Sequence, residues 1–269
     1  MNVKRIGLDL AKNVFELYGV DKHEQRVLSK SVRRGKLLET FARLAPCVVG
    51  MEACGGAHHW ARELRRLGHE PRLMAPQFVA PYRKNDKNDR NDAAAICEAV
   101  GRPNMRFVPI KEAEQQAVLT LHRARALLLS ERTALLNHIR GLLGEYGLVM
   151  ARGVAQVRAR LPEILEDADN GLPGLAREVF AELAARLREC DARLGEYDRI
   201  AELARASESA QRLMQVEGVG PLTATAITAT VGDARQFRNG RQFAAWVGLV
   251  ARQRSSGGKA RQRAHHQTR

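Results

Sequence analysis

The chain has only four cysteines, Cys47, Cys54, Cys97 and Cys190, and no two of them form a CxxC pair or show metal-ligand spacing. A zinc ribbon or a disulfide framework is therefore not expected, and the four read as reduced, small, mostly buried residues. No apolar run approaches the roughly 18 residues of a membrane span. The first residues, Met1-Asn2-Val3-Lys4-Arg5, lead straight into a strand pattern and not into a signal peptide. These absences point to a soluble, cytoplasmic chain. Negative charge is also in short supply: 30 Asp and Glu stand against 44 Lys and Arg, a net charge of +14. A surface of that sign attracts phosphate backbones and makes binding salt-sensitive.

Against this basic background four acids stand out. Asp9 lies in Ile6-Gly7-Leu8-Asp9-Leu10 and Glu52 in Val49-Gly50-Met51-Glu52-Ala53, each at the end of an apolar, strand-like run. Asp89 and Asp92 are three residues apart, which on a helix puts both on one face. Hard divalent cations such as Mg²⁺ prefer carboxylate oxygen. Two carboxylates about 4 Å apart without a cation would repel by about 4 kcal/mol at an effective dielectric of 20. Taken singly, each acid has a structural explanation as a turn or helix cap; their joint placement favours a metal site. Asn-Asp recurs at 85/86, 88/89 and 91/92, so the register is chosen by context. Asp92 precedes Ala93-Ala94-Ala95, small residues that let a helix approach a sheet closely, and Asp86 is the reserve.

The first hundred residues read as α/β. Strands are expected over Lys4–Leu10, Val14–Val20, Gln25–Ser31, Cys47–Met51 and Glu70–Met74, with helices over Gly35–Leu44 and Gly55–Leu67. Three hairpin-connected strands followed by strands alternating with helices is the order of an RNase H-like fold. From Glu112 to Ala206 the pattern turns helical. Leucine pairs at 128/129, 135/136 and 142/143 recur every seven residues, and a second seam runs from Ala176 to Ala204. That predicts a coiled coil or a long helical hairpin, with Pro162, Asn170-Gly171, Pro173 and Gly174 marking the turn. An intramolecular hairpin and a dimerisation stalk are equally open. The expected modules are residues 1–108, 109–206 and 207–269.

Three further features bear on nucleic acid. Val216-Glu217-Gly218-Val219-Gly220-Pro221 has the form of a helix-hairpin-helix turn, in which Gly218 and Gly220 would bring backbone N–H groups toward a phosphate. Arg123, Arg125, Arg132 and Arg140 are expected along a basic surface of the helical region. Ser255-Ser256-Gly257-Gly258-Lys259, with Arg252 and Arg254 before it, offers a hydroxyl among cations, although a Ser-Gly loop is more often a linker.

Together, Ile6-Gly7-Leu8-Asp9-Leu10-Ala11-Lys12, Met51-Glu52-Ala53-Cys54-Gly55, Lys87-x-Asp89-x-x-Asp92-Ala93, Gly218-Val219-Gly220 and Arg241-Gln242-Phe243-Ala244-Ala245-Trp246-Val247-Gly248-Leu249 through Ser255-Ser256-Gly257 resemble one family. It is the DEDD transposases of the IS110 insertion-sequence group. The resemblance implies a RuvC-like domain in which Asp9, Glu52, Asp89 and Asp92 hold a pair of Mg²⁺ ions. It also implies a coiled-coil linker and a small helical C-terminal transposase domain whose serine, Ser256 by alignment, attacks DNA. It further implies donor and target DNA as partners, a structured bridge RNA as guide, and a dimer or tetramer that draws metal site and serine from different subunits. A RuvC-like nuclease that uses water, or an inactive nucleic-acid-binding remnant, are the alternative readings. Family members continue beyond the serine loop through further helices. The expectation is a C-terminally truncated copy: dropping one nucleotide at Arg261 would, with GC-rich codons, turn the polar end into a family-like segment.

Overall fold

A computed structural model of the chain describes residues 2–83 and 88–249, together with the backbone of 252–256 and 259–263. The chain forms two compact units, Met1–Thr230 and Val231–Arg269.

The first unit begins with a six-stranded sheet built from β1 (Arg5–Asp9), β2 (Val14–Val20), β3 (Arg26–Arg33), β4 (Val48–Glu52), β5 (Glu70–Met74) and β6 (Phe107–Val108), in the order β3-β2-β1-β4-β5-β6. Short connections make β1, β2 and β3 antiparallel neighbours. Helices α1 (Leu37–Ala42) and α2 (Ala57–Arg66) carry the chain across, so β4 pairs parallel to β1 and β5 parallel to β4. This mixed order is consistent with an RNase H-like domain. Strand β6 was not legible in advance: it is a two-residue edge, too short to show an alternating pattern, and it pairs antiparallel to β5.

Side-chain alternation divides the core between the two faces of the sheet. Ile6 and Leu8 point to the face covered by α1 and α2, where they pack with Phe15, Phe41, Val49, Met51, Trp60 and Leu64. The opposite face carries α4 (Asp89–Val100), reached through the short helix α3 (Pro76–Val79). There Met74, Val79, Ala95, Ile96, Ala99 and Val100 form a second cluster.

A helical region follows: α5 (Ala113–Gly144), α6 (Val154–Glu166), α7 (Gly174–Gly195), α8 (Arg199–Ala206), α9 (Glu208–Met214) and α10 (Pro221–Val231). The leucine pairs at 135/136 and 142/143 do face a core, shared with Val157, Leu161, Phe180, Ala184 and Leu187 of α6 and α7. Helices α5 and α7 thus pack on each other within one chain. Two expectations change. Pro162 lies inside α6 and not in the turn, which is made by Asn170 and Gly171 (φ +72°). Arg177 donates to the end carbonyls of Ile164 and Leu165 at 3.0 and 2.6 Å, which caps α6 at its C-terminus. The second heptad seam is also interrupted, by a single 3₁₀ turn at Glu196–Asp198. Helix α10 is tied to α5 where His122 Nε2 meets Thr225 Oγ1 at 2.9 Å.

In the second unit α11 (Gly240–Trp246) carries a ring cluster in which Phe243 and Trp246 both contact Phe237. Strands β7 (Arg252–Ser256) and β8 (Lys259–Arg263) pair antiparallel, with Ser256 opposite Lys259.

Candidate metal centre

Two copies of one short pattern bring the acids together. In β1 and β4 a glycine precedes the acid by two residues: Gly7 before Asp9, Gly50 before Glu52. The strands are parallel and in register through Gly7 and Gly50, so both acids come two residues beyond that pair, on the face covered by α4. The glycines let the helix close in. A Cβ on Gly7 would lie 2.1 Å from the Ala93 carbonyl oxygen, and one on Gly50 would lie 2.7 Å from Val100 Cβ.

Helix α4 starts at this same end of the sheet. Asn88 caps it, its side-chain oxygen accepting from the Asn91 N–H at 2.8 Å. Asp89 and Asp92 occupy the first turn, where the helix dipole favours negative charge. Asp89 is exposed and Asp92 is buried, 7% accessible.

The outcome is a compact acidic group: carboxylate oxygens of Asp9, Asp89 and Asp92 all lie within 4.8 Å of one another. Burial, and then the charges of Asp92, Asp89 and Glu52, push the Asp9 carboxyl up to about 6. Glu52 is not part of that group. Its Oε1 accepts from Arg83 Nη2 at 2.8 Å, and Arg83 Nε lies 2.9 Å from Asp92 Oδ1. That Asp92 oxygen is buried and accepts no hydrogen bond among the described residues, so its contact with Arg83 is one of charge without hydrogen-bond alignment.

These residues suit a hard cation. Opposed ligands on one Mg²⁺ ion are about 4.2 Å apart, twice a bond of about 2.1 Å. Oxygens within 4.8 Å need only small side-chain adjustment to reach that spacing. A buried carboxylate oxygen that has the Arg83 charge nearby but no hydrogen bond among the described residues, beside an acid whose ionisation its neighbours oppose, leaves room for a further cation to coordinate.

The other residues singled out by the sequence are placed as follows. Asp86 lies outside the described residues. Gly218, with φ +81°, makes the turn between α9 and α10, and Gly220 directly precedes Pro221 at the start of α10. Arg123 is exposed and Arg125 half-buried on α5. Arg132 pairs with Asp191 at 3.2 Å, and Arg140 holds the Met150 carbonyl at 3.3 Å. Ser255, Ser256, Arg252, Arg254 and Lys259 belong to the β7–β8 hairpin, with side chains outside the described part. Arg83 escaped the sequence reading because a single arginine in a basic chain carries no signal. Gly7 and Gly50 were open to detection through the repeated glycine-x-acid pattern.

Comparison with known proteins gives the chain its relatives. A transposase family model of the DEDD type, IS110 group, matches residues 6–148, and the model described as "Transposase IS116/IS110/IS902 family" matches residues 210–269. A "Probable family 20 transposase" of Pseudomonas aeruginosa is 53% identical over 263 residues, covering 97% of this chain and 78% of the relative. The transposase for insertion sequence element IS1111A of Coxiella burnetii is 45% identical, over 96% of this chain and 71% of its own length. That for element IS1328 of Yersinia enterocolitica is 39% identical, over 96% and 77%. Both family models, in order along the sequence, and the relatives matched over nearly all of this chain agree in type. The chain belongs to the IS110 family of insertion-sequence transposases.

Proposed function

We propose that this transposase cuts and rejoins DNA with a Mg²⁺ centre held by Asp9, Glu52, Asp89 and Asp92 and a nucleophile supplied by Ser256. The observation that carries the reading is the convergence of Asp9, Asp89 and Asp92, whose carboxylate oxygens lie within 4.8 Å of one another and of which Asp92 keeps a buried oxygen with no hydrogen bond among the described residues. When bound, the cations supply Lewis acidity toward phosphate oxygens. The Ser256 hydroxyl oxygen attacks phosphorus and gives up its proton, while the leaving sugar oxygen takes one up. One phosphodiester becomes a phosphoseryl ester, so the bond energy is conserved and rejoining needs no ATP. Arg252, Arg254 and Lys259, which share the hairpin sequence, would offset the charge that develops.

The reading extends to organisation. Residues 1–108 form the RuvC-like metal domain, 109–206 the coiled-coil region and 207–269 the transposase domain. The Gly218–Gly220 turn serves as a helix-hairpin-helix contact to a DNA backbone. Donor and target DNA, a structured guide RNA and further copies of the chain are the partners, in the cytoplasm at the bacterial nucleoid. The RNA and the oligomer rest on family resemblance.

Cleavage of element-end DNA, resolved under denaturing conditions, tests the reading. Wild type should yield a Mg²⁺-dependent covalent protein–DNA adduct, Asp92→Asn should yield neither adduct nor cleavage, and Ser256→Ala should lose the adduct. Free cleaved ends produced by Ser256→Ala at the wild-type rate would replace the serine by water and make the chain a nuclease.

A further inference from the structure

Arg83 sits between Glu52 and the three aspartates. Its Nη2 donates to Glu52 Oε1 at 2.8 Å, and its Nε lies 2.9 Å from Asp92 Oδ1. The two acids are well shielded, with side chains 16% and 9% exposed, whereas the Arg83 side chain is 34% exposed and its backbone leaves the Ala80–Tyr82 turn in an extended conformation. The guanidinium is thus inserted from the solvent side between two carboxylates anchored on rigid elements, the end of β4 and the first turn of α4.

The placement divides the acidic set. Asp9, Asp89 and Asp92 come within 4.8 Å of one another, while Glu52, level with Asp9 at the ends of the two central strands, stays out of that group and bonds to the guanidinium. The Arg83 contact to Asp92 is imperfect, leaving Oδ1 without a hydrogen bond among the described residues. A structural ion pair selected only for stability would be expected to satisfy that oxygen, since charge-assisted arginine–carboxylate bonds are strongest when aligned. A charge that stays near without aligning is suited to being displaced.

Resting on the metal-centre reading above, we propose that Arg83 is a built-in counter-cation that competes with divalent metal for Glu52 and Asp92. In the metal-free protein its single charge offsets part of the repulsion among four acids. When metal binds, the guanidinium withdraws, Glu52 turns to the aspartates, and the ligand set is completed. Arg83 is then a positioning residue: it sets how readily the centre loads, and its partial exposure gives it room to leave. A fixed positive charge this close to a divalent ion opposes binding, so removing it should tighten the site, whereas an arginine that merely braced the ligands would loosen it when removed.

The test is Mn²⁺ binding to the full chain, read by the paramagnetic signal of free Mn²⁺, in wild type, Arg83→Gln, Arg83→Lys and Asp92→Asn. Arg83→Gln should bind Mn²⁺ at least tenfold more tightly than wild type, and in chelator it should melt at a lower temperature because four acids have lost their counter-charge. Arg83→Lys, which keeps the charge but not the two-sided fork, should fall between. Unchanged or weaker Mn²⁺ binding by Arg83→Gln, with Asp92→Asn abolishing it, overturns the competition and leaves the metal centre standing. Equal binding by wild type and Asp92→Asn removes the metal centre itself, and this proposal with it.

Discussion

A Cβ placed on Gly7 would fall 2.1 Å from the carbonyl oxygen of Ala93 and 2.4 Å from the Cys97 nitrogen. β1 and α4 therefore meet backbone to backbone one residue away from Asp92 and two from Asp9. Neither atom is the tip of a flexible side chain, so no rotamer change can make room. The acidic group exists at its present spacing because this contact has no side chain in it.

Gly7→Ala should accordingly push α4 off the sheet. Overpacking of this kind costs about 3 kcal/mol, and the loss should appear as a lower melting temperature together with weaker divalent-cation binding. Gly50→Ala meets the Val100 side chain, with no backbone atom among its nearest neighbours, and should be milder. Equal, small effects of both substitutions would show that the acids do not depend on this close approach.

Much of this arrangement was legible in the sequence, and the reason lies in particular residues. Alternating apolar runs located β2 and β5 to the residue, and the small residues after Asp92 pointed to a helix lying close on a sheet. The acid ends of β1 and β4 follow from the same runs. Arg83 was not legible, because its partners are 31 residues earlier and nine later and only the packing of α4 against the end of β4 joins them. The break between α7 and α8 was hidden for the opposite reason: the heptad spacing continues through Glu196–Asp198 although the backbone tightens there into a 3₁₀ turn. Pro162 misled because a proline is read as a breaker, whereas here it lies inside α6, whose end is capped by Arg177 on the carbonyls of Ile164 and Leu165.

Asp9 gives a pH dependence of definite sign. Its carboxyl is pushed from 3.8 to about 6, so the folded chain favours the protonated form. Its stabilising contribution to the metal-free protein is complete below pH 3.8 and is lost as pH rises through about 6. Divalent cations reverse the preference, because only the carboxylate is a ligand. Apparent cation affinity should therefore fall about tenfold per pH unit below pH 6, as one proton competes for the site. A titration of Mn²⁺ binding against pH checks this; an affinity flat between pH 5 and 7 would detach Asp9 from the centre.

His58 has the opposite sign in nearly the same window. Its Nδ1 accepts from the Lys111 N–H at 3.1 Å, while Arg62 donates to the Lys111 carbonyl at 2.5 Å and to Gln116 at 2.6 Å, so α2 grips the start of α5. Burial, then the charges of Lys111 and Arg62, push the imidazole from 6.5 down to about 4. Stability from the neutral ring is present above pH 6.5 and is lost as pH falls through about 4. In chelator the two groups offset each other in wild type. His58→Gln should unmask the Asp9 trend, with melting temperature falling as pH rises, and Asp9→Asn should unmask the reverse. Parallel melting curves for both variants would refute the assignment.

The arginines of α5 separate by what they already hold. Arg132 shares Asp191 with Arg158, at 3.2 and 2.6 Å, and Arg132 Nε is buried without a hydrogen bond among the described residues. Burial pushes the Asp191 carboxyl up, but the hydrogen bonds from Arg158 and Arg132 outweigh it and hold it below the ordinary range. Arg123 is exposed on the same helix. Arg132→Ala should therefore act on the α5–α7 contact, lowering stability by about 1–3 kcal/mol while leaving the salt dependence of DNA binding nearly unchanged. Arg123→Ala should do the reverse: a melting temperature close to wild type, and a log–log salt slope shallower by about 0.9 for each phosphate no longer neutralised. The two measurements, thermal melting and a salt titration of binding to a short DNA duplex, distinguish packing from recognition at two positions of one helix. A weaker, less salt-dependent Arg132→Ala of undiminished stability would place the nucleic-acid path across the Asp191 side of the bundle instead.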